Sequence, residues 1–155
     1  MNLLLADEAW VTQFALVENS RYSKGYHEGL DYVPRGRQEW GLFAPTGGRV
    51  MWTGWGDVYG WNIILFDERS GLSWRWCHLE GAILVKEGQY VRGGELMGLG
   101  GSSGNSDARH FHLNCIPMLM SAPGKYTYGK KAFPGNGYEG RCDPIPARRE
   151  LGVWI

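Results

Sequence analysis

The 155-residue chain holds four histidines: His27, His78, His110 and His112. Three of them lie beside glycine-rich or turn-prone sequence, where sites usually sit. In His110-Phe111-His112 the imidazoles are two positions apart. Strand side chains alternate, so both would project to one face and meet one small object, while Phe111 would turn to the core. The preceding run Gly100-Gly101-Ser102-Ser103-Gly104-Asn105-Ser106-Asp107 is built of small residues that let backbone approach a ligand closely. In His27-Glu28-Gly29-Leu30-Asp31 a histidine and a carboxylate stand four apart and converge on a cation if the chain turns at Gly29. His78 ends an apolar run, and regular alternation puts it on the same face as Trp76, with Cys77 on the other.

Taken singly, each motif has a plainer explanation: an exposed turn, a surface histidine pair, a satisfied histidine. Taken together, they give every histidine a role. Two neutral imidazoles, one carboxylate and a water form the ligand set of a catalytic zinc site. His27, Asp31 and one of the His110/His112 pair would supply it. Two histidines then remain for proton transfer beside the metal. Zinc lowers the pKa of a bound water from about 15.7 towards about 7, which makes hydroxide available at neutral pH.

The elements that must position these groups read as strands. Glycine occupies 24 positions, aromatic residues make up 14% of the chain, and the apolar runs are short, which points to β-structure with many turns. Strands are expected at Gly48–Trp52, Trp61–Phe66, Leu72–Leu79, Leu96–Leu99 and His110–Asn114, with a short segment around Ile83-Leu84-Val85. Loops are expected at Gly54–Asp57 and Gly100–Asp107, and a hairpin turn at Asp67–Gly71. One helix is expected, Ala6–Glu18, where Trp10, Phe14 and Val17 recur at helical spacing. Past Met120, Pro123, Pro134, Pro144 and Pro146 alternate with glycines and prevent long elements. The expected organisation is a mainly β domain over residues 1–120, an antiparallel sheet or sandwich, with 121–155 as an irregular extension packed on it.

Charge and composition exclude several classes. Sixteen basic and sixteen acidic side chains cancel, so no nucleic-acid-binding stripe is expected. Residues 1–120 carry net −3 and 121–155 net +3. No apolar stretch is long enough to span a bilayer, and no membrane partner is expected. The start, Met1 to Glu8, has no basic n-region, so no secretory signal is expected. Cys77, Cys115 and Cys142 are too few and too scattered for a disulfide framework, and regular strands would put Cys77 and Cys115 on the face opposite the site as core filler. Trp52, Trp55, Trp61 and Trp74 fit either the groove or the core.

His27-x-x-x-Asp31, Trp76-x-His78-Leu79 and His110-x-His112, in that order, resemble the lysostaphin/LytM-type zinc metallopeptidases of peptidase family M23. The framing is similar too. Gly47-Gly48-Arg49-Val50 and Tyr59-Gly60-Trp61-Asn62 resemble the family's strand starts. Residues 85–95 and Gly98-Leu99-Gly100-Gly101-Ser102-Ser103-Gly104 resemble its two glycine-spaced segments. The resemblance covers roughly residues 25–116. It implies a twisted antiparallel sheet of the LytM (duplicated hybrid motif) type with a groove across it, and one zinc per chain held by His27, Asp31 and His112. It implies His78 and His110 as catalytic histidines beside the metal. It further implies endopeptidase cleavage of bacterial peptidoglycan peptides, D-alanyl cross-links or glycine bridges, by a zinc-activated water. The chain would act as a monomer on the cell wall, and its small size suits a phage lysin or virion-associated enzyme. Two departures stand out. Phe14-Ala15-Leu16-Val17 lacks the glycine and arginine of the family's upstream phenylalanine-glycine-x-arginine element, and Trp76 replaces a frequent tyrosine. The rival readings are a catalytically inactive activator, a phosphocarrier domain and a wall-binding β-domain.

Overall fold

The computed structural model describes residues 9–15, 17–18, 20–22, 25–34, 40–122 and 125–128. These form ten strands: β1 Ala9–Gln13, β2 Leu30–Pro34, β3 Gly41–Phe43, β4 Gly48–Gly56, β5 Gly60–Asp67, β6 Leu72–Ile83, β7 Tyr90–Val91, β8 Leu96–Gly100, β9 Phe111–Ala122 and β10 Lys125–Tyr128. Every pairing is antiparallel, and the main sheet runs β1-β2-β9-β6-β5-β4-β7. β10 pairs with β9, and a side arm of β3 and β8 joins the far end of β6. No helix occurs among the described residues, and none there is long and apolar enough to cross a membrane.

Alternation sorts the two faces. Leu30, Leu113, Trp76 and Ile63 are successive cross-strand partners, as are Cys115, Trp74 and Leu65. All are buried in one apolar cluster, which Leu42 and Met97 of the side arm complete. Each fully buried large side chain contributes roughly 1.5–3 kcal/mol. A slip of one residue would turn this set to the opposite face, so the core fixes the register of β2, β9 and β6. The opposite face presents Asp31, His112 and Cys77 in one cross-strand row and Asn114, Arg75 and Ile64 in the next. Further along it, Met51, Ile64 and Phe66 form a small second cluster with Trp52.

The strands foreseen from Leu42 onward are present, with three differences. The short segment around Ile83-Leu84-Val85 is not a separate strand: Ile83 ends β6, which runs on past Leu79, and Leu84 and Val85 lie outside it. Gly54-Trp55-Gly56 is not a loop but the end of β4, paired with Asn62, Trp61 and Gly60. His110 lies just before β9, in an isolated bridge with Gly101. The helix expected over Ala6–Glu18 is corrected: Ala9–Gln13 is the strand β1, paired with β2. Trp10, Phe14 and Val17, whose spacing indicated a helical stripe, are all exposed, so no buried stripe exists to sustain a helix. Of the extension beyond residue 120, residues 125–128 form β10, and 129–155 lie outside the described residues. Trp74 fills the core, while Trp55 and Trp61 are exposed as a T-shaped pair with ring centroids 5.8 Å apart.

Candidate active site

His27, Asp31 and His112 meet on the outer face. Asp31 and His112 are direct partners on adjacent strands, so the register that buries the core also brings these two side chains together. His112 Nδ1 lies 2.7 Å from Asp31 Oδ1 and 3.1 Å from His27 Nε2, and His27 Nε2 lies 3.2 Å from Asp31 Oδ1. The three donor atoms fall within 4.8 Å of one another, close enough to share one metal ion. His27 is oriented from behind. A carbonyl can only accept, so His27 Nδ1 donates to Phe14 O at 2.9 Å, which leaves the Nε2 lone pair facing the cluster. Its backbone N–H donates to Val17 O. Gly29 makes the turn between the two ligands of the first motif pack against β9. A Cβ there would lie 2.5 Å from Leu113 O and 2.8 Å from His112 Nε2.

His78 and His110 border the same centre from the irregular side. Up to Cys77, β6 pairs with β9; from Leu79 it pairs with β8. His78 stands at this change of partner in the left-handed conformation, φ 58°. A bulge accompanies it: between the pairs Trp61–Leu79 and Ile63–Trp76, two residues of β6, Cys77 and His78, stand opposite one of β5, Asn62. The bulge overturns the face assignment expected from alternation. Trp76 points into the core, Cys77 shares the outer face with His112, and His78 is rotated back onto that face. Cys115 is core, as expected, but Cys77 packs beside Asn114, its Sγ 3.7 Å from Asn114 Oδ1.

The loop between β8 and β9 holds both histidines. His78 Nδ1 donates to Ser103 O at 2.8 Å and His110 Nδ1 to Ala108 O at 2.8 Å, so each offers Nε2 to the site. The His78 and His110 rings are 4.9 Å apart, and His110 Nε2 is 3.6 Å from Asp31 Oδ1. The Ser103 carbonyl reaches His78 because Gly60 and Gly104, both at positive φ, pack backbone to backbone. A Cβ on either would collide, with Ser103 in one case and Gly60 in the other.

Burial and charge oppose each other here. Burial raises the Asp31 carboxyl, but hydrogen bonds and positive charge from His112 and His27 outweigh it and hold it well below the usual carboxylate range. Burial lowers His78 to about 4 against the pull of the Ser103 carbonyl, helped by its histidine neighbours. His112 is lowered by burial despite Asp31. His27 is disfavoured as a cation by burial, yet Asp31 raises it overall. Neutral His78 beside an ionised carboxylate is the state that ligation and proton acceptance require.

Several supporting groups had no signal of their own in the sequence. Asn114 Nδ2 donates to Glu28 O at 3.0 Å, tying the His27–Asp31 turn to β9. Tyr59 Oη donates to Glu28 Oε2 at 3.0 Å, and the Arg75 guanidinium lies over the Tyr59 ring. Tyr22 stacks on His27 with centroids 5.2 Å apart. The only foreshadowing came from position: Tyr59 and Ser103 lie within segments that resemble the family's framing motifs.

Comparison with known proteins places this geometry. Residues 25–119 match the profile of peptidase family M23. Lysostaphin of Staphylococcus simulans is 32% identical over 89 residues, 57% of this chain and 18% of lysostaphin. The glycyl-glycine endopeptidase ALE-1 of Staphylococcus capitis is 31% identical over 128 residues, 74% of this chain and 34% of that protein. The chain thus matches only a fifth to a third of the length of these relatives. The solved catalytic domain of lysostaphin from Staphylococcus simulans superposes with a TM-score of 0.62 at 23% identity, covering 75% of this chain and 85% of that one, and so shares the fold.

Proposed function

The chain belongs to peptidase family M23, and from that premise we propose that it is a zinc-dependent endopeptidase that hydrolyses peptide bonds of bacterial peptidoglycan. His27, Asp31 and His112 would hold the ion, and His78 and His110 would handle protons. The observation that carries the proposal is the convergence of two imidazole nitrogens and a carboxylate oxygen within 4.8 Å, with two further imidazoles at the same centre. The donor set suits zinc: two imidazole nitrogens and an ionised carboxylate oxygen, borderline-soft and hard donors in the number that catalytic sites use. A bound ion would acidify a water and polarise the scissile carbonyl.

The chain's own residues do the rest. Asp31 stays ionised, and the Phe14 carbonyl fixes the His27 tautomer. His78, neutral down to about pH 4, accepts a proton at Nε2. His110, its Nδ1–H held by Ala108 O, stands with Nε2 across the site. Residues 1–120 are taken as the catalytic domain and 121–155 as an extension of the same domain. The test pairs zinc content with turbidity of a purified peptidoglycan suspension. One zinc per chain and chelator-sensitive clearing support the proposal. Zinc without clearing favours the inactive activator, and no zinc overturns the ligand set.

A further inference from the structure

Beside the site lies a cation with no counter-charge among the described residues. Arg75 stands on β6 two positions before Cys77, the cross-strand partner of His112, and pairs across β9 with Asn114. Its side chain therefore rises from the same face as Asp31 and His112, about 7 Å along the strands from the level of His112 at the usual rise per residue. Its guanidinium carbon sits 4.4 Å from the centroid of the Tyr59 ring, and the Tyr59 hydroxyl is spent on Glu28. Among the described residues Arg75 makes no hydrogen bond or ion pair, and its Nε is buried without a partner. Other arginines of the sheet are satisfied. Arg49 bonds Gly88 O and lies near Glu68, and Arg109 bonds Gly100 O and Glu80. A half-buried guanidinium with an unpaired N–H is costly unless something completes it. Its planar fork matches a carboxylate with two parallel hydrogen bonds. The Tyr59 face holds the plane in place beforehand, which lowers the ordering cost of such a pair.

We infer that Arg75 reads a free carboxylate of the bound peptide, carried on a residue next to the scissile bond. The inference rests on the peptidase reading above and names its substrate class: stem peptides of the diaminopimelate type, which carry such a carboxylate beside the cross-link. An oligoglycine bridge offers none within its chain, so Arg75 would separate this chain's specificity from that in the name of its glycyl-glycine relative.

The test uses the zinc-loaded chain and two cross-linked stem peptides that differ only in a free carboxylate or its carboxamide. Cleavage is read as kcat/KM. Binding is read by calorimetry with uncleavable versions, a ketomethylene group replacing the scissile amide. The wild type should favour the carboxylate peptide by about tenfold to a hundredfold, the range for a charge-assisted pair. Arg75→Gln should bring the ratio close to one. Arg75→Lys, which keeps the charge but loses the fork, should retain part of it, and it carries the test if Arg75→Gln fails to fold. Equal handling of both peptides by the wild type overturns the inference, as does a ratio unchanged in the variants. A carboxylate preference in binding without cleavage of either peptide upholds the role of Arg75 and defeats the peptidase reading instead.

Discussion

The two halves of the site are built by opposite means. The side holding His27, Asp31 and His112 rests on regular β-pairing: Asp31 faces His112 because Leu30 and Tyr32 face Leu113 and Phe111 on the other surface of the same strands. The side holding His78 and His110 rests on departures from regularity: a left-handed residue, a change of strand partner and a glycine-rich loop that touches backbone to backbone. The first arrangement borrows its rigidity from the core. The second depends on a few positions where no side chain fits. Metal affinity should therefore follow the first half and turnover the second.

The sharpest way to break this division is at the ligands. His112→Ala leaves two protein donors and should abolish stoichiometric zinc, with activity falling to background. A variant that still binds one zinc per chain would move the metal elsewhere. His78→Ala should keep its zinc and lose about 10²–10⁴ in kcat, the usual worth of general acid–base help. Near-normal kcat would remove His78 from the chemistry. Two glycine variants then sharpen the contrast. Gly29→Ala presses on His112 and the Leu113 carbonyl and should weaken zinc binding by about 10–100-fold, as loss of ligand support does. Gly60→Ala forces an L-residue to φ 63° against Ser103, at a cost of about 1–3 kcal/mol. It should lower kcat through displacement of the His78 support and spare zinc affinity. If both variants change zinc affinity alike, the two halves are one mechanical unit.

The same division marks what could be read in the sequence. The spacing of His27 and Asp31, and of His110 and His112, marked two motifs whose side chains could each converge on a small object, but not which of the His110/His112 pair joins His27 and Asp31, and His110 stands just outside β9. The expected strands from Leu42 onward emerged because short apolar runs bounded by glycine leave few alternatives. His78 was identified as a site residue, but its route to the site was not. Alternation put Cys77 on the wrong face because a single bulge inverts everything beyond it, and a bulge has no local sequence mark at Cys77-His78. Ala6–Glu18 misled for a related reason: Trp10, Phe14 and Val17 do recur at helical spacing, but all three are exposed rather than buried as a helical stripe would be, while pairing with β2 offers Ala9–Gln13 a ladder of hydrogen bonds. The carbonyls of Phe14 and Ser103, which set the histidine tautomers, are backbone groups and leave no trace in residue type.

The smallest expected effect is also the most specific to the irregular half. The folded pKa of His78 is lowered from 6.5 to about 4. Between those values the unfolded chain binds a proton there and the folded chain does not, so stability contributed by His78 rises as pH increases from 4 to 6.5. His112, also lowered, acts in the same sense, whereas His27, raised, contributes stability that is lost as pH rises through its folded value. Asp31, held below the carboxylate range, titrates beneath this window. Comparing wild type with His78→Gln in the presence of chelator isolates His78: the variant's Tm should climb less steeply than wild type between pH 4 and 6.5, and the two slopes should coincide above 6.5. Identical slopes throughout would mean that His78 is protonated in the fold near its ordinary value. The burial imposed by the bulge would then not set its charge state, and the acid limb of turnover would return to about pH 6.5.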